Sequence, residues 1–348
     1  MLKRILILRL GSLGDVVHAI PVAAALRRAF PEARIDWLVA ARYRAILDLV
    51  PVIDRRLVLG RSIGEARTGN SLVATLAELR RSRYDVAIDL QGLLKSAALA
   101  RSSGAHRVVG FASSYLRERL AGLFYTDTYD PGGDGIDDPR ETSHVVDINL
   151  GLLRKFGVTP TVAEFPIASV DSPVADTVHR LTGGRYVLLN PGAAWPNKRW
   201  PPPRLGELAV RLRQRHGVTS VALWGDGERP LAEEVVSHSA GAAIVCPAAS
   251  IADLVALSRR AALIVSGDTG PMHIAAAVGT PVLGIFGPTR PARNGPWSAE
   301  DVTVSRADVC RCYRLRRCRI GAPCLLEIGV DEVVDAAERR LAGLTSHA

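Results

Sequence analysis

Apolar residues in this chain fall into short runs, several interrupted by a single polar residue, separated by stretches in which they recur every three or four positions. The runs cover residues 5–10, 35–39, 86–90, 187–189, 220–224, 263–265 and 282–286. Strands covered on both faces read this way, because neither side meets water, and such burial belongs to parallel sheets. The three-to-four spacing marks helices over residues 22–30, 72–81, 205–215 and 251–260, with a terminal helix at 330–341 that can pack on either half. Ser250 and Asp253 have the spacing of a capping box at the start of one of them. This alternation predicts a doubly wound α/β fold. Periodicity lapses over residues 159–172, and a fresh strand-like run begins at Tyr186. The expected division is a first domain at 1–160, a linker at 161–184 and a second domain at 185–348. Open parallel sheets bind ligands at the carboxyl ends of their strands, so a cleft between the two domains is the expected binding place.

A chain of 348 residues with 48% hydrophobic composition has material for two cores. It has no run of about 18 uncharged apolar residues and no cleavable leader pattern, so a cytoplasmic protein is expected. Five cysteines, four of them crowded at Cys310, Cys312, Cys318 and Cys324, do not resemble a secreted disulfide framework, and reduced thiols are expected. The formal charge of +9 favours polyanions, whether nucleic acid or anionic lipid, or reflects an arginine-rich composition alone. Aromatics make up only 5% of the chain, which argues against a nucleic-acid binder built on base stacking.

Three constellations carry candidate chemistry. Gly11-Ser12-Leu13-Gly14-Asp15 follows the first strand. Its spacing is not the G-x-G-x-x-G of a dinucleotide fold, which disfavours hydride transfer. Asp15 suits either a general base at the mouth of the sheet or a helix cap, and His18 follows it with packing as its plainer reading. Pro21 blurs where the helix begins. The second constellation, Ser266 to His273, places Asp268, Thr269 and Gly270 ahead of Pro271 at a helix start. There, free amides and the helix dipole favour a diphosphate, with His273 one turn in; an ordinary strand-turn-helix is the alternative. The third is Asn190 to Pro201, where Gly192 and Ala193 lead to Lys198, either a point charge for a leaving diphosphate or a solvated loop lysine. Glu228, in a turn after Trp224, can hold a ribose through its carboxylate. Two metal-like patterns are weaker. Asp134, Gly135 and Glu141 occupy calcium-loop positions, but Gly132 replaces a ligand. The C-x-C-x5-C-x5-C cluster does not have a standard zinc spacing.

Taken in order, Gly14-Asp15 with His18 and Pro21, Asp268-Thr269-Gly270 with His273, and Gly287-Pro288-Thr289 resemble the heptosyltransferase family of inverting glycosyltransferases. The likeness spans nearly the whole chain. The stretches from Tyr84 to Ala97 and from Arg117 to Tyr125 favour its first subclass, although Arg119 stands where similar enzymes can carry proline. The resemblance implies a GT-B fold, two Rossmann-like doubly wound domains facing a central cleft. It implies metal-independent transfer of L-glycero-D-manno-heptose from its ADP derivative to the Kdo-lipid A inner core of lipopolysaccharide. Asp15 would be the base and Lys198 its catalytic partner. Gly192, Ala193, Lys198, Glu228, Asp268, Thr269, Gly270 and His273 would hold the donor. Gly14, His18, Lys95 and Arg117 would hold the acceptor, the last two because its carboxylates and phosphates call for cations. The expected protein is a monomer without cofactor or nucleic-acid partner, working at the inner face of the inner membrane. Transfer of another nucleotide-activated sugar is the same-class alternative, and a nucleotide-dependent oxidoreductase the different-class one.

Overall fold

A computed structural model describes residues 2–59, 72–133, 135, 136, 138, 142–313, 315–318, 321 and 323–342. The candidate calcium-loop residues Asp134 and Glu141 lie outside them. The chain divides into two compact units, Met1–Ala168 and Ser169–Ala348.

In the first unit the elements run β1 (Arg4–Leu8), α1 (Leu13–Ala29), β2 (Arg34–Ala40), α2 (Arg44–Asp48), β3 (Arg55–Leu59), α3 (Leu72–Ser82), β4 (Val86–Asp89), α4 (Leu94–Ser102), β5 (Arg107–Phe111), β6 (Asp127–Tyr129) and α5 (Val145–Gly151). The strands form one parallel sheet in the order β3-β2-β1-β4-β5-β6, with Ile5 in register with Ile35 on one side and Val86 on the other. Ile5 through Leu8 are fully buried, as expected for a central strand covered on both faces. Helix α1 begins nine residues before the periodic stretch that predicts it and continues through Pro21. A helix-interior proline forfeits a hydrogen bond, but Val16, Val17, Ile20 and Val22 around it are all fully buried, and that packing holds the helix.

The second unit runs α6 (Pro173–Thr182), β7 (Tyr186–Asn190), α7 (Pro202–His216), β8 (Thr219–Ala222), α8 (Arg229–Ser237), β9 (Ala243–Val245), α9 (Ile251–Arg260), β10 (Leu263–Gly267), α10 (Gly270–Ala277), β11 (Val282–Phe286), α11 (Pro291–Asn294), β12 (Val302–Ser305) and α12 (Val330–Ala342). Its sheet, β12-β11-β10-β7-β8-β9, is also parallel and repeats the first order when counted from β7. Strand β7 shows how both faces are covered. Val187 and Leu189 join the core under α7, α8 and α12, while Tyr186 and Leu188 join the core under α6, α9 and α10. Helix α12 therefore belongs to this unit; Val333, Val334, Ala337 and Leu341 are in that first core and Arg340 pairs with Asp301 at 2.9 Å. Residues 161–184, expected as a linker, contain α6, capped by the Ser172 hydroxyl accepting the Ala175 amide at 3.0 Å. The expected capping box forms at α9: Asp253 Oδ2 accepts the Ser250 amide at 2.9 Å and Ser250 Oγ accepts the Asp253 amide at 3.2 Å.

Candidate active site

In each unit the strand order reverses beside the central strand, between β1 and β4 and between β7 and β10. In open α/β sheets, ligands bind where the loops leaving the carboxyl ends of the strands part at such a reversal.

In the first unit the β1 loop carries Asp15. Gly11 lets this loop pass Tyr43, whose ring a Cβ at that position would strike. The Ser12 amide and hydroxyl both donate to Asp15 Oδ2, at 2.9 and 3.0 Å, so Asp15, at the third helical position, closes a capping box with the N-cap Ser12. Its other oxygen is held at 2.6 Å by Arg9. Arg9 is itself buried, donates to the Leu90 carbonyl just past β4, and leaves Nε without a partner among the described residues. Burial alone would raise the Asp15 carboxyl. The Arg9 and then the Arg117 guanidinium, the Ser12 amide and His18 outweigh it and hold the group well below the usual carboxylate range. The carboxylate keeps 23% of its side-chain surface exposed, so it is at once a cap and an accessible anion. Gly14 is buried in the first turn of α1. His18 lies inside the unit, 6% exposed, edge-on to the His144 ring at 5.7 Å, which matches its plainer reading as a packed histidine. Lys95, on α4, and Arg117 are exposed.

Sequence reasoning missed the supports of this crevice. Arg9 was hidden in an aliphatic run that ends, as a strand, at Leu8. Gln91 Oε1 accepts the amides of Leu10 and Gly11 at 3.0 and 3.3 Å and so fixes the β1 loop from the β4 side. Asp89, fully buried, accepts hydroxyls from Ser96 at 2.9 Å and Tyr125 at 2.8 Å; burial is the largest influence on it and raises its carboxyl. A polar residue inside an apolar strand run was the available signal.

In the second unit Asp268, after β10, divides its carboxylate between two partners. Oδ2 takes Lys198 Nζ at 2.6 Å and Oδ1 faces His273 Nε2 at 3.0 Å. Burial would raise this carboxyl, but Lys198 and His273 drive it far below the ordinary range. Lys198, 14% exposed, also lies 4.4 Å from the Trp195 ring, which rules out the solvated loop lysine. Gly267 permits the approach, since a Cβ there would come within 2.6 Å of the Lys198 carbonyl oxygen. Thr269 is the N-cap of α10, with Pro271 in the first turn, so the leading amides lack intrahelical partners. Asn190, which ends β7, ties the turn together by donating to Thr269 Oγ1 at 2.9 Å, Ser266 Oγ at 3.0 Å and the Gly192 carbonyl at 3.2 Å. Gly192 packs beneath the Glu228 carboxylate, whose space a Cβ would take. Arg199 donates to the Ala193 carbonyl at 2.7 and 2.9 Å and lies 3.7 Å from Glu228. One crevice thus gathers Gly192, Lys198, Glu228, Asp268, Thr269 and His273. The four clustered cysteines are thiols, with Cys312 and Cys318 sulfurs 3.3 Å apart. Among the described residues no group of His, Cys, Asp or Glu is arranged to hold a metal ion, and no helix is long and apolar enough to cross a membrane.

Comparison with known proteins bears on this geometry. The model of glycosyltransferase family 9 (heptosyltransferase) matches residues 73–321. Lipopolysaccharide heptosyltransferase 1 of Pseudomonas aeruginosa is 30% identical over 92% of this chain and 86% of its own length. Its namesake from Escherichia coli K12 is 26% identical over 93% and 98%. The solved structure of E. coli heptosyltransferase WaaC with ADP superposes with a TM-score of 0.76 at 24% identity, covering 97% of this chain and all of the other. That of E. coli ADP-heptose lps heptosyltransferase II gives 0.74 at 22% identity, covering 99% and 100%. The two doubly wound parallel sheets are thus those of the GT-B fold. By sequence as well as by fold the chain belongs to glycosyltransferase family 9, and it is a glycosyltransferase of the heptosyltransferase type.

Proposed function

We propose that this protein transfers heptose from ADP-L-glycero-D-manno-heptose to the Kdo-lipid A inner core of lipopolysaccharide, with inversion and without a metal ion. The observation that carries the reading is the Lys198–Asp268–His273 arrangement beside the first turn of α10. Departure of ADP leaves negative charge on the β-phosphate. A lysine held at fixed length by Asp268, together with free amides at a helix N-terminus, supplies positive potential without reorganisation. His273, held by the same carboxylate, would reach a phosphate or ribose group of the donor. Thr269 and Gly270 contribute the helix end, and Gly192, Ala193 and Glu228 would take the ribose, whose hydroxyls suit a carboxylate.

In the first unit Asp15 takes the proton of the attacking hydroxyl. Its oxygens already accept from Ser12 and Arg9, so the carboxylate is oriented before substrate arrives. Its depressed pKa guarantees ionisation at neutral pH but makes it a weak base while Arg9 and Arg117 face it. An acceptor bearing carboxylates, engaging Arg117 and Lys95, would draw off part of that positive field and strengthen the base. Gly14 keeps the first turn of α1 free of a side chain, and His18 acts through packing.

The direct test is a transfer assay with ADP-heptose and Kdo-lipid A, with the anomeric configuration of the product read by NMR, run with and without excess EDTA. Transfer with inversion that persists in EDTA is expected. No transfer, retention, or complete loss in EDTA restored by a divalent cation would overturn the corresponding part. A thermal-shift panel should show stabilisation by ADP and ADP-heptose and none by UDP, TDP or NAD compounds.

A further inference from the structure

Four of the five cysteines take no part in the chemistry described above, yet the segment that carries them, after β12, is fixed at two places to the loops of the second unit's crevice. The Leu315 carbonyl accepts Asn197 Nδ2 at 2.8 Å. Asn197 is 4% exposed and immediately precedes Lys198 in the turn Pro196–Lys198. On the other side the Arg290 guanidinium lies 4.9 Å from the Tyr313 ring, and a Cβ at Gly287 would come within 3.0 Å of Cys324 Sγ. Gly287 and Arg290 belong to the loop that follows β11. Whatever moves the cysteine segment therefore pulls on the loop that holds Lys198.

The thiols are not equivalent. The Cys312 thiol donates to Cys318 Sγ at 3.3 Å, and the two sulfurs must approach by about 1.2 Å to bond, because a disulfide spans about 2.05 Å. Cys312 is 1% exposed whereas Cys318 is half-buried, so a reagent from solvent meets Cys318 first. Arg311, Arg316 and Arg317 beside the pair are exposed, a concentration of positive charge that draws an anionic reagent. Other thiols are set aside by their surroundings. Burial first, and then the hydrogen bond with Cys310, pushes the Cys324 thiol up to about 12, and burial does the same to Cys246. A group held so far above neutrality stays a thiol, and it is the thiolate that attacks a disulfide.

We propose that Cys312 and Cys318 form a redox-active dithiol that a small anionic disulfide of the glutathione class oxidises, and that closure of the bond shifts the Lys198 loop. The Cys318 thiolate attacks one sulfur of the reagent and expels a glutathione thiolate, leaving a mixed disulfide. Cys312 then loses its proton to water, attacks Cys318 Sγ and expels the second glutathione thiolate. Two protein thiols are oxidised and one reagent disulfide is reduced to two thiols. The new bond closes a turn with Leu315 midway between its ends. Drawing those ends together moves the Leu315 carbonyl, and the buried Asn197 that donates to it follows or loses the bond. Lys198 is the next residue, and groups that act on a reacting phosphate have to be placed to within about 1 Å. Intracellular disulfides are characteristically transient and redox-sensing, and this pair fits that use.

The test is incubation of the full chain with oxidised glutathione, followed by alkylation in denaturant and peptide mass spectrometry. A Cys312–Cys318 disulfide is expected, with Cys246 and Cys324 alkylated, and dithiothreitol should reverse it. Cys318→Ser should form no internal disulfide, and Cys312→Ser should stop at the mixed disulfide on Cys318; melting temperatures confirm that both variants fold. Movement of the loop is read without ligand from the indole N–H resonance of Trp195, whose ring lies 4.4 Å from Lys198 Nζ. That resonance should shift on oxidation of wild type and stay in place in Cys318→Ser. Oxidation should also weaken ADP binding by about fivefold, since ordering the loop then costs about one hydrogen bond. This last arm rests on the donor reading of the crevice. ADP that fails to bind the reduced protein counts against that reading, while the peptide map and the Trp195 resonance still decide the dithiol. A pairing of other cysteines, no disulfide at all, or an unmoved Trp195 resonance in the oxidised protein overturns the proposal. So does a metal ion that purifies with the chain and is released as the thiols are titrated, since the sulfurs would then be its ligands.

Discussion

Replacing Asp15 by asparagine separates the base from the cap only if the Arg9 ion pair is taken into account. The amide oxygen of asparagine accepts as the carboxylate does, so the bonds from the N-cap Ser12 are kept. What is lost is the partner of Arg9, a guanidinium 7% exposed and paired at 2.6 Å, which would then face an amide with no negative charge. Removing one member of such a pair costs roughly 3 kcal/mol, which for a unit of this size lowers its melting temperature by about 6–12 °C. Turnover should fall by about 10²- to 10⁴-fold through loss of the base. Asp15→Asn alone therefore changes stability and rate together. The decisive variant combines Arg9→Met with Asp15→Asn, which removes the orphaned charge while keeping a long aliphatic side chain. Stability should return most of the way to wild type, so that the double variant is destabilised by less than the sum of the two single ones. Turnover should stay low, because no carboxylate has been restored. A double variant that regains both stability and most of its turnover would refute the base assignment and leave Asp15 as a counter-ion and cap.

Lys198→Ala and His273→Ala should each weaken binding of ADP, measured by calorimetry, with the larger loss of turnover in Lys198→Ala; wild-type kinetics in both would remove this crevice from the donor site. Asp268 bears on pH: its folded carboxyl lies far below the unfolded value of about 3.9, so its stabilisation is fully present above that pH and is lost only as pH falls toward the folded value. The Asp268 carboxylate stays ionised between about pH 5 and 8, so Asp268→Asn should lower stability throughout that range, with the gap closing only below about pH 4; a variant as stable as wild type at pH 7 would contradict the assignment. Lys95→Ala and Arg117→Ala should raise the Michaelis constant for acceptor more than for donor, and equal changes in the two constants would leave them without an acceptor role. In Arg117→Ala the Asp15 carboxyl should titrate higher, though still below the usual carboxylate range because Arg9 remains, as read by NMR titration of the folded protein; an unmoved carboxyl would show that Arg117 does not act on Asp15.

Much of the architecture was legible because its signals are local. Central strands such as β1, β7 and β10 are covered on both faces, so their segments read as apolar runs wherever they lie in the fold. The capping box at α9 needs only Ser250 and Asp253, three residues apart. The Gly14-Asp15 and Asp268-Thr269-Gly270 motifs are likewise contiguous. Where periodicity failed, a neighbour distant in sequence had replaced it. The edge strands β3, β6, β9 and β12 are short or carry polar residues, since one side of each has no strand to pair with. Strand β5 has its apolar run interrupted by Gly110, where a Cβ would meet the Tyr125 ring. The supports of the crevices behave the same way. Arg9 looks like an anomaly in a strand until Leu90 and Asp15 are brought to it, and Lys198 looks like a loop lysine until Asp268, seventy residues on, takes its charge.

The amino-acid sequence by itself determined that this is an α/β protein of two halves with parallel sheets, and that acidic, basic and glycine residues cluster at strand ends. Those features follow from burial and turn chemistry within a few residues of each position. Only the tertiary structure decided the strand order, and with it the reversal beside β1 and β7 that turns two strand ends into crevices. It alone showed that Asp15 and Asp268 are each held ionised by a cation from elsewhere in the chain, because the energy of an ion pair depends on separation and solvent exposure, and neither is written in the spacing of the residues.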